Sequence, residues 1–171
     1  MNGITFEQRN VRAVDDARLY ETLYEDGRLR GCEITYAGAQ LTIARGVYMV
    51  RGRMVAIDND EIFATAPTYT NGYGRLKITI NLAASPSGST FAQGSFGWQY
   101  ASTNSFAALV QDDINGDATD YEIEICRVKY TSGSISEVVS QVGKVGVLRG
   151  ILGMGTALIT GIDLNGIVTP G

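Results

Sequence analysis

The sequence contains no histidine. Histidine is the commonest general base near neutral pH and a frequent metal ligand, so Ser–His and Cys–His nucleophile systems and histidine metal sites are excluded. Carboxylate-pair catalysis stays formally open, but the acidic residues fall at predicted turns or on alternating strand faces without a recognisable acid and base. There is also no P-loop, zinc spacing or dinucleotide fingerprint. We therefore expect a protein that is not an enzyme and has no cofactor.

Runs of basic residues and long apolar runs are missing as well. The formal net charge is −4, and the arginines of the first third are dispersed among apolar positions, which indicates solvated strand faces or inter-subunit ion pairs. These are Arg28, Arg30, Arg45, Arg51 and Arg53. Nucleic acid is not an expected partner. No stretch reaches the roughly 18 apolar residues of a membrane-spanning helix, so membrane insertion is not expected.

The first ten residues do not resemble a secretory signal, because they contain Glu7, Gln8 and Arg9 and no apolar core. We expect synthesis in the cytoplasm. Only two cysteines are present, Cys32 and Cys126, each in a predicted strand. Buried free thiols are expected, and a disulfide between adjacent strands is the alternative.

Hydrophobic residues make up 44% of the chain and charged residues 19%, with 21 glycines and three prolines, a composition typical of a folded protein with many turns. Short alternating runs between Gly27 and Ile57 predict a tight antiparallel meander. Its strands are Arg30–Tyr36, Leu41–Ala44, Val47–Val50 and Arg53–Ile57. Leu41, Ile43, Val47 and Met49 share the odd positions that one buried face requires.

Three later segments also predict strands. Ile62–Ala66 is a short edge strand ended by Pro67. In Arg75–Leu82 the even residues are apolar, so one face is core and the other is wet or covered by a partner. In Tyr121–Tyr130 the apolar register switches near Cys126, which predicts a bulge or burial on both sides. The predicted fold class is all-β, an antiparallel β-sandwich or barrel-like meander with one short N-terminal helix.

The N-terminus predicts a small hairpin, with Ile4 and Phe6 on one arm and Val11 on the other. A helix of about ten residues follows, with Asp15 or Asp16 as N-cap and Gly27 to end it. Its apolar stripe is expected to pack on the sheet. The stripe consists of Ala17, Leu19, Tyr20, Leu23 and Tyr24.

Phe96, Trp98 and Tyr100 alternate along a further predicted strand and indicate core packing. The alternative is a carbohydrate-binding module that contacts a host glycan. Its candidate contacts are Trp98, Tyr69, Tyr73 and the loop at residues 83–90.

Asp113, Asn115, Asp117 and Glu124 partly match the spacing of a calcium-binding loop. However, the position that needs glycine is Ala118. An Asn–Gly turn leading into a strand explains the same residues without a metal, and no metal site is predicted.

The last part of the chain is apolar and glycine-rich, with Arg149 and Asp163 as its charged residues. So much apolar surface indicates docking, preferably on another subunit, with a final element of the same domain as the alternative. We divide the chain into a β-rich core domain, residues 1–144, and a C-terminal segment, residues 145–171. The predicted assembly interface consists of Leu148, Ile151, Leu152, Met154, Leu158, Ile159, Ile162, Leu164 and Ile167.

The order of these pieces is similar to that of a known group of proteins. The pieces are MNGITF, a short helix, GCEITYAGAQLTIARGVYMVRGRMV, YGRLKITINL and FAALVQDDING before the last strand. Residues 1 to about 144 resemble the N-terminal part of tail-fibre or receptor-binding chains in the baseplates of tailed phages and prophages of Gram-positive hosts. Because this chain is shorter than those members, a distal receptor-binding head is not expected.

The resemblance implies a structural protein of the virion tail, at the baseplate or fibre base, with a role in host attachment. Its implied partners are other tail and baseplate proteins and further copies of itself, as a homo-oligomer and by family likeness a trimer. The resemblance carries no catalytic residue. A capsid decoration protein is a third reading of the same β-rich composition.

Overall fold

A computed structural model describes residues 12–65, 67–85 and 92–145. Several expectations fall outside these ranges. They are the N-terminal hairpin of Ile4, Phe6 and Val11, most of the loop at residues 83–90, and the C-terminal segment after Val145.

The described residues form ten β-strands and one α-helix, so the all-β class with a short N-terminal helix is confirmed. In chain order the elements are α1 (Ala13–Leu23), β1 (Gly27–Gly31), β2 (Ile34–Ala37), β3 (Gln40–Ile43), β4 (Gly46–Val50), β5 (Arg53–Ile57), β6 (Glu61–Ala64), β7 (Gly72–Asn81), β8 (Gly94–Ala101), β9 (Asp120–Thr131) and β10 (Ser134–Ser140). They build antiparallel sheets with the strand orders β1-β4-β5, β2-β3-β6 and β10-β9-β7-β8.

The predicted continuous meander is wrong in its connections. β3 and β4 follow one another in the chain but do not pair, since β3 pairs with β6 and β4 with β1. The predicted strand Arg30–Tyr36 is divided into β1 and β2 because Gly31 and Cys32 both adopt left-handed backbone, with φ of 62° and 60°. Cys32 therefore lies in the break between two strands. The chain changes sheet there and again just before Gly46, which pairs with Gly31.

The two glycines make that change of sheet sterically accessible. A Cβ on Gly31 would overlap the carbonyl oxygen of Arg45, and a Cβ on Gly46 would overlap the carbonyl oxygen of Arg30. Two backbones that approach so closely leave room for hydrogen only. The sheets β1-β4-β5 and β2-β3-β6 are thus joined by two crossings that local alternation does not reveal.

The helix begins and ends earlier than predicted. It starts at Ala13, so Asp15 is a first-turn residue and not the N-cap, and its Oδ2 accepts a hydrogen bond from the Arg12 N–H at 3.2 Å. It ends at Leu23 because Tyr24 is extended, while Gly27 opens β1. Of the predicted apolar stripe only Ala17 is buried. Among the described residues, no helix combines the length and apolar composition needed to span a bilayer.

The largest sheet has β7 at its centre, between β9 and β8. Leu76, Ile78 and Ile80 of β7 are at most 2% exposed, which confirms the even-numbered core face of this strand. The bulge predicted near Cys126 is also confirmed. Leu76 is opposite Cys126 and Lys77 is opposite Glu124, so Ile125 is the extra residue, and both it and Cys126 are buried.

The core contains both thiols beside the phenol of Tyr48, and both cysteines are free, as predicted. Burial raises the pKa of the Cys126 thiol to about 12. Burial likewise raises the pKa of Cys32, which the nearby Tyr48 hydroxyl partly offsets. The Tyr48 hydroxyl is itself buried, and burial raises its pKa well above the usual value. All three groups are therefore neutral at physiological pH.

Gly52 controls how closely α1 approaches the β4–β5 turn. It has φ +73°, and a Cβ there would overlap the carbonyl oxygen of Ala17 and lie 2.7 Å from the amide nitrogen of Glu21. Gly133 has a similar φ of +76° but open space around the same position. Comparing an alanine substitution at Gly52 with one at Gly133 therefore distinguishes the cost of backbone strain from the cost of disturbing the helix contact.

We expect Gly133→Ala to lower the free energy of unfolding by about 1 kcal/mol, through backbone strain alone. Gly52→Ala carries the same strain and also forces α1 away, and we expect a further loss of about 1–3 kcal/mol. Urea denaturation of both variants measures the difference. Equal losses would contradict a tight contact between Gly52 and α1.

Candidate functional site

The predicted assembly interface, from Leu148 to Ile167, lies outside the described residues and stays a prediction. The residues that lead to this interface lie along β1. Lys144 forms a parallel bridge with Arg28, and the Val145 N–H donates to the Arg28 carbonyl at 2.8 Å. The C-terminal segment therefore departs from β1, with its first residue still bonded to the core domain.

The outer face of the largest sheet carries a row of charges. Arg75, in the middle of β7, is only 3% exposed; its Nη1 lies 3.5 Å from Glu124 Oε2 and its Nε donates to Gln99 Oε1 at 3.0 Å. Arg127 also pairs with Glu124, and Lys77 pairs with Glu122. The middle of this face is covered by the chain itself, whereas Asn81 at its end is exposed, so the expectation of a wet or partner-covered face is wrong for Arg75.

The cover is supplied by the chain's own segment at residues 102–119. The Phe106 ring lies under two guanidinium groups, with its centroid 5.0 Å from Arg75 Cζ and 5.4 Å from Arg127 Cζ. The Val110 N–H donates to Glu122 Oε2 at 3.1 Å. Such cation–π and charge-assisted contacts attach an irregular segment to a polar sheet face.

Two opposing effects act on the carboxyl group of Glu122, which takes part in this attachment. Burial would raise the pKa of its carboxyl group, but the hydrogen bonds from Lys77 and from the Val110 N–H, with the charges of Lys77 and Arg75, outweigh burial and lower that pKa. The ionised carboxylate is therefore used for contacts within the domain, with Lys77 and the Val110 N–H. We assign these charges a structural role.

The residues that partly match a calcium loop are occupied by other contacts. The Asn115 side chain donates to Glu21 Oε2 at 2.6 Å and to the Arg51 carbonyl at 3.1 Å. Asp113 accepts the Asn115 N–H at 3.1 Å, while Glu124 lies in β9 beside its arginines. In the described part of the chain no three His, Cys, Asp or Glu side chains gather to hold a metal.

Asn115 has a structural role that the sequence analysis, which considered it only in a calcium-like loop or an Asn–Gly turn, did not predict. It is 5% exposed, its side-chain oxygen accepts from Arg53, and its carbonyl accepts from Arg18 Nε at 2.8 Å. One residue thus connects the 102–119 segment to α1 and to β5. The only local signal was the Asn–Gly pair, which indicates a turn but not the distant partners.

The dispersed arginines divide into two groups. Arg51 forms an ion pair with Glu21 at 2.6 Å, and Arg53 binds the turn at Asn115. Arg30 and Arg45 instead line an open concavity of about 770 Å³ that also contains acidic side chains. The acidic residues there are Glu33, Asp58 and Asp60. The mixed charges favour neither anions nor cations.

The aromatic row of β8 packs inward, as the core interpretation expected. Trp98 is half-buried and stacks on Tyr100, with ring centroids 5.9 Å apart and planes 7° apart, and it meets Phe63 edge-on at 6.3 Å. Gly74 leaves room for it, since a Cβ there would lie 2.9 Å from the Trp98 ring. The indole face is thus covered by neighbouring rings.

The proposed glycan contacts are not brought together. Leu76 is opposite Trp98 and Tyr73 is opposite Ala101 across the β7–β8 pair. Because successive side chains of a strand alternate between faces, Tyr73 and Trp98 lie on opposite sides of the sheet. Tyr69 is exposed, and the loop at residues 83–90 is described only as far as Ser85.

The largest apolar side chains left exposed near a concave surface lie on α1 and β5. Met54 is 60% exposed and Tyr20 36%, and Leu19 beside it is 57% exposed. Tyr20 and Met54 both line a groove of about 530 Å³, here called the α1–β5 groove. Its lining is Ala13, Val14, Asp16, Ala17, Tyr20, Gly52, Arg53, Met54, Val55, Ile80, Leu82 and Gln93. Sequence reasoning had placed Leu19 and Tyr20 against the sheet.

Comparison with protein-family models gives no match. A search of curated proteins finds no significant relative.

The lowered pKa of Glu122 predicts a pH-dependent contribution to stability. A folded-state pKa below the unfolded value means that the carboxylate stabilises the fold above about pH 4.3 and that this contribution is lost as pH falls through the folded-state pKa. We expect Glu122→Gln to cost about 2 kcal/mol at pH 7 and less at pH 3. Urea midpoints at both pH values measure this. Glu137→Gln, at an exposed position of β10, is the control, and an equal cost of Glu122→Gln at both pH values would contradict the assignment.

The packing of Trp98 predicts its accessibility. It is the single tryptophan of the chain, and its indole nitrogen is buried. We expect acrylamide to quench the native fluorescence several-fold less than that of the same chain in urea. Similar quenching in both states would contradict the stacked arrangement and favour an exposed platform.

Proposed function

We propose that the protein is a structural component of a phage tail, or of a phage-derived injection device, located at the baseplate or fibre base. It acts through protein–protein assembly and contributes to host attachment as part of that complex. The observation that carries the proposal is the exposure of large apolar side chains on α1 and β5, namely Leu19, Tyr20 and Met54, of which the last two line one groove. Large apolar side chains exposed beside a groove are typical of a protein interaction site.

The use of charge inside the domain supports the same proposal. Charged side chains on the outer face of the largest sheet attach the 102–119 segment; they are Arg75, Glu124, Lys77 and Glu122. Hydrogen bonds of Asn115, one of them from Arg53, join α1 and β5 to that segment. This arrangement suits a rigid structural module, in which charged side chains position loops and apolar side chains meet partners.

The partners we propose are other tail or baseplate proteins and further copies of this chain, with a trimer favoured by the family resemblance. The carbohydrate-binding alternative receives less support, because Trp98 and Tyr73 lie on opposite faces of their sheet. A capsid decoration protein would use the same kind of surface on a different lattice. The location on the particle separates these proposals.

Antibody labelling on negatively stained particles from producing cells tests the location. We expect label at the tail tip. Label on heads would favour a decoration protein, and label on no particle would overturn the tail proposal and favour a free binding module.

Truncation after Val145 tests the mode of action. This boundary keeps the hydrogen bond from Val145 to Arg28, so we expect residues 1–145 to unfold in urea with a free energy within about 1 kcal/mol of that of the full chain and to lose incorporation into particles. Circular dichroism and particle purification give the two readouts. A truncated chain that fails to fold would place the removed segment in the core and contradict an assembly role.

A further inference from the structure

We propose that the α1–β5 groove is the docking site for the part of the C-terminal segment that follows Val145. This inference rests on the proposed assembly function and names the surface that receives the segment.

The groove is largely apolar, and the described residues leave Met54 on it uncovered. Ala17 and Ile80 on its lining are at most 2% exposed, whereas Met54 on its wall is 60% exposed. The helix is held by contacts elsewhere. Gly52 permits its close approach to the β4–β5 turn, and Asn115 is bonded to Arg18 and Glu21 of the helix.

The size of the groove suits a short apolar stretch. Its volume of about 530 Å³ falls within the range of roughly 300–1,000 Å³ that is usual for ligand-binding pockets. That space accommodates a few side chains of the size of leucine or isoleucine. A flexible methionine and an aromatic ring on its lining adapt readily to such side chains.

The last described residue lies at the edge of the sheet that contains β5. Val145 is bonded to Arg28 of β1, and β1 and β5 flank β4 in this sheet. Three strand spacings, about 14 Å, therefore separate it from β5, a distance that about five extended residues span at about 3.3 Å each. Residues 146–171 are therefore long enough to reach the groove of their own molecule or of a neighbour.

The two surfaces also match in composition and charge. The segment carries only Arg149 and Asp163 as charged residues among many apolar ones. The groove carries Asp16 and Arg53 beside its apolar lining. The rival occupant is the N-terminus, residues 1–11. It is nearer along the chain, but the four consecutive polar residues Glu7–Asn10, which lie three to six positions before the helix, suit an apolar groove poorly.

The test is photo-crosslinking of the full chain from position 54. Met54 is replaced by p-benzoylphenylalanine, and the matched control places the same residue at Ile62, which is equally exposed at 60% but lies on β6. No Lys or Arg follows Arg149, so trypsin releases Gly150–Gly171 as one peptide. We expect this peptide to be crosslinked from position 54 and not from position 62.

Three results would overturn the inference. One is a crosslink to the N-terminal peptide Met1–Arg9, a second is equal crosslinking from both positions, and a third is no crosslink from position 54. Mixing ¹⁴N- and ¹⁵N-labelled chains separates the inference from the proposed function. Crosslinks within one molecule support the groove as docking site but remove support for assembly through it, whereas mixed-isotope crosslinks support both.

A second pair of variants tests the affinity. Where mixed-isotope crosslinks show docking into a neighbouring molecule, we expect Met54→Glu to weaken self-association about tenfold or more, since it places a charge in the apolar contact, and Ile62→Glu to leave it unchanged. Sedimentation equilibrium measures both dissociation constants. Thermal unfolding verifies that both variants fold, and equal effects of the two would count against the groove.

Discussion

The buried amide of Asn115 is the contact on which the arrangement of this domain depends. It joins the helix through Glu21, the β4–β5 turn through the Arg51 carbonyl, and β5 through Arg53. These partners are distant in sequence, so a single turn fixes the helix to the sheet. Hydrogen bonds to charged groups contribute roughly 1.5–3 kcal/mol each, and loss of this side chain would remove its contacts to Glu21, Arg51 and Arg53 together. The position of α1, and with it the shape of the α1–β5 groove, follows from this contact.

The buried charges on the outer face of β7 serve a related purpose. Removing Arg75 and Glu124 from water costs free energy that their mutual attraction offsets only when the remaining donors and acceptors are also satisfied. Gln99, Arg127 and Phe106 supply those further contacts. An apolar face would hold the 102–119 segment in many registers, whereas this arrangement accepts one. The charges therefore determine which way the segment lies over the sheet more than they add to stability.

Strands with a strong alternation of apolar and polar residues were predictable from the sequence, whereas the pairing of strands distant in the chain was not. β5 and the core face of β7 agree with the alternation of Arg53–Ile57 and Arg75–Leu82, and the bulge at Ile125 agrees with the switch of register near Cys126. The meander was wrong because sequential pairing is the default for short runs, while the sheet changes at Gly31 and Gly46 depend on backbone contacts between distant residues. The helix start was wrong because Asp15 serves in the first turn instead of at the cap. No local pattern indicated the partners of Asn115 or the exposure of Leu19.

The exposure of Met54 is best understood as a consequence of how the helix is held. A helix free to move would lie over the apolar surface of β5, because burying a large apolar side chain stabilises by about 1.5–3 kcal/mol. Gly52 and Asn115 hold the helix against the turn instead, so Tyr20 and Met54 stand apart. The apolar surface of Met54 that the domain does not bury can therefore be buried by a segment that binds in the groove. A rigid domain that keeps apolar surface open in this way is suited to association, since little reorganisation opposes binding.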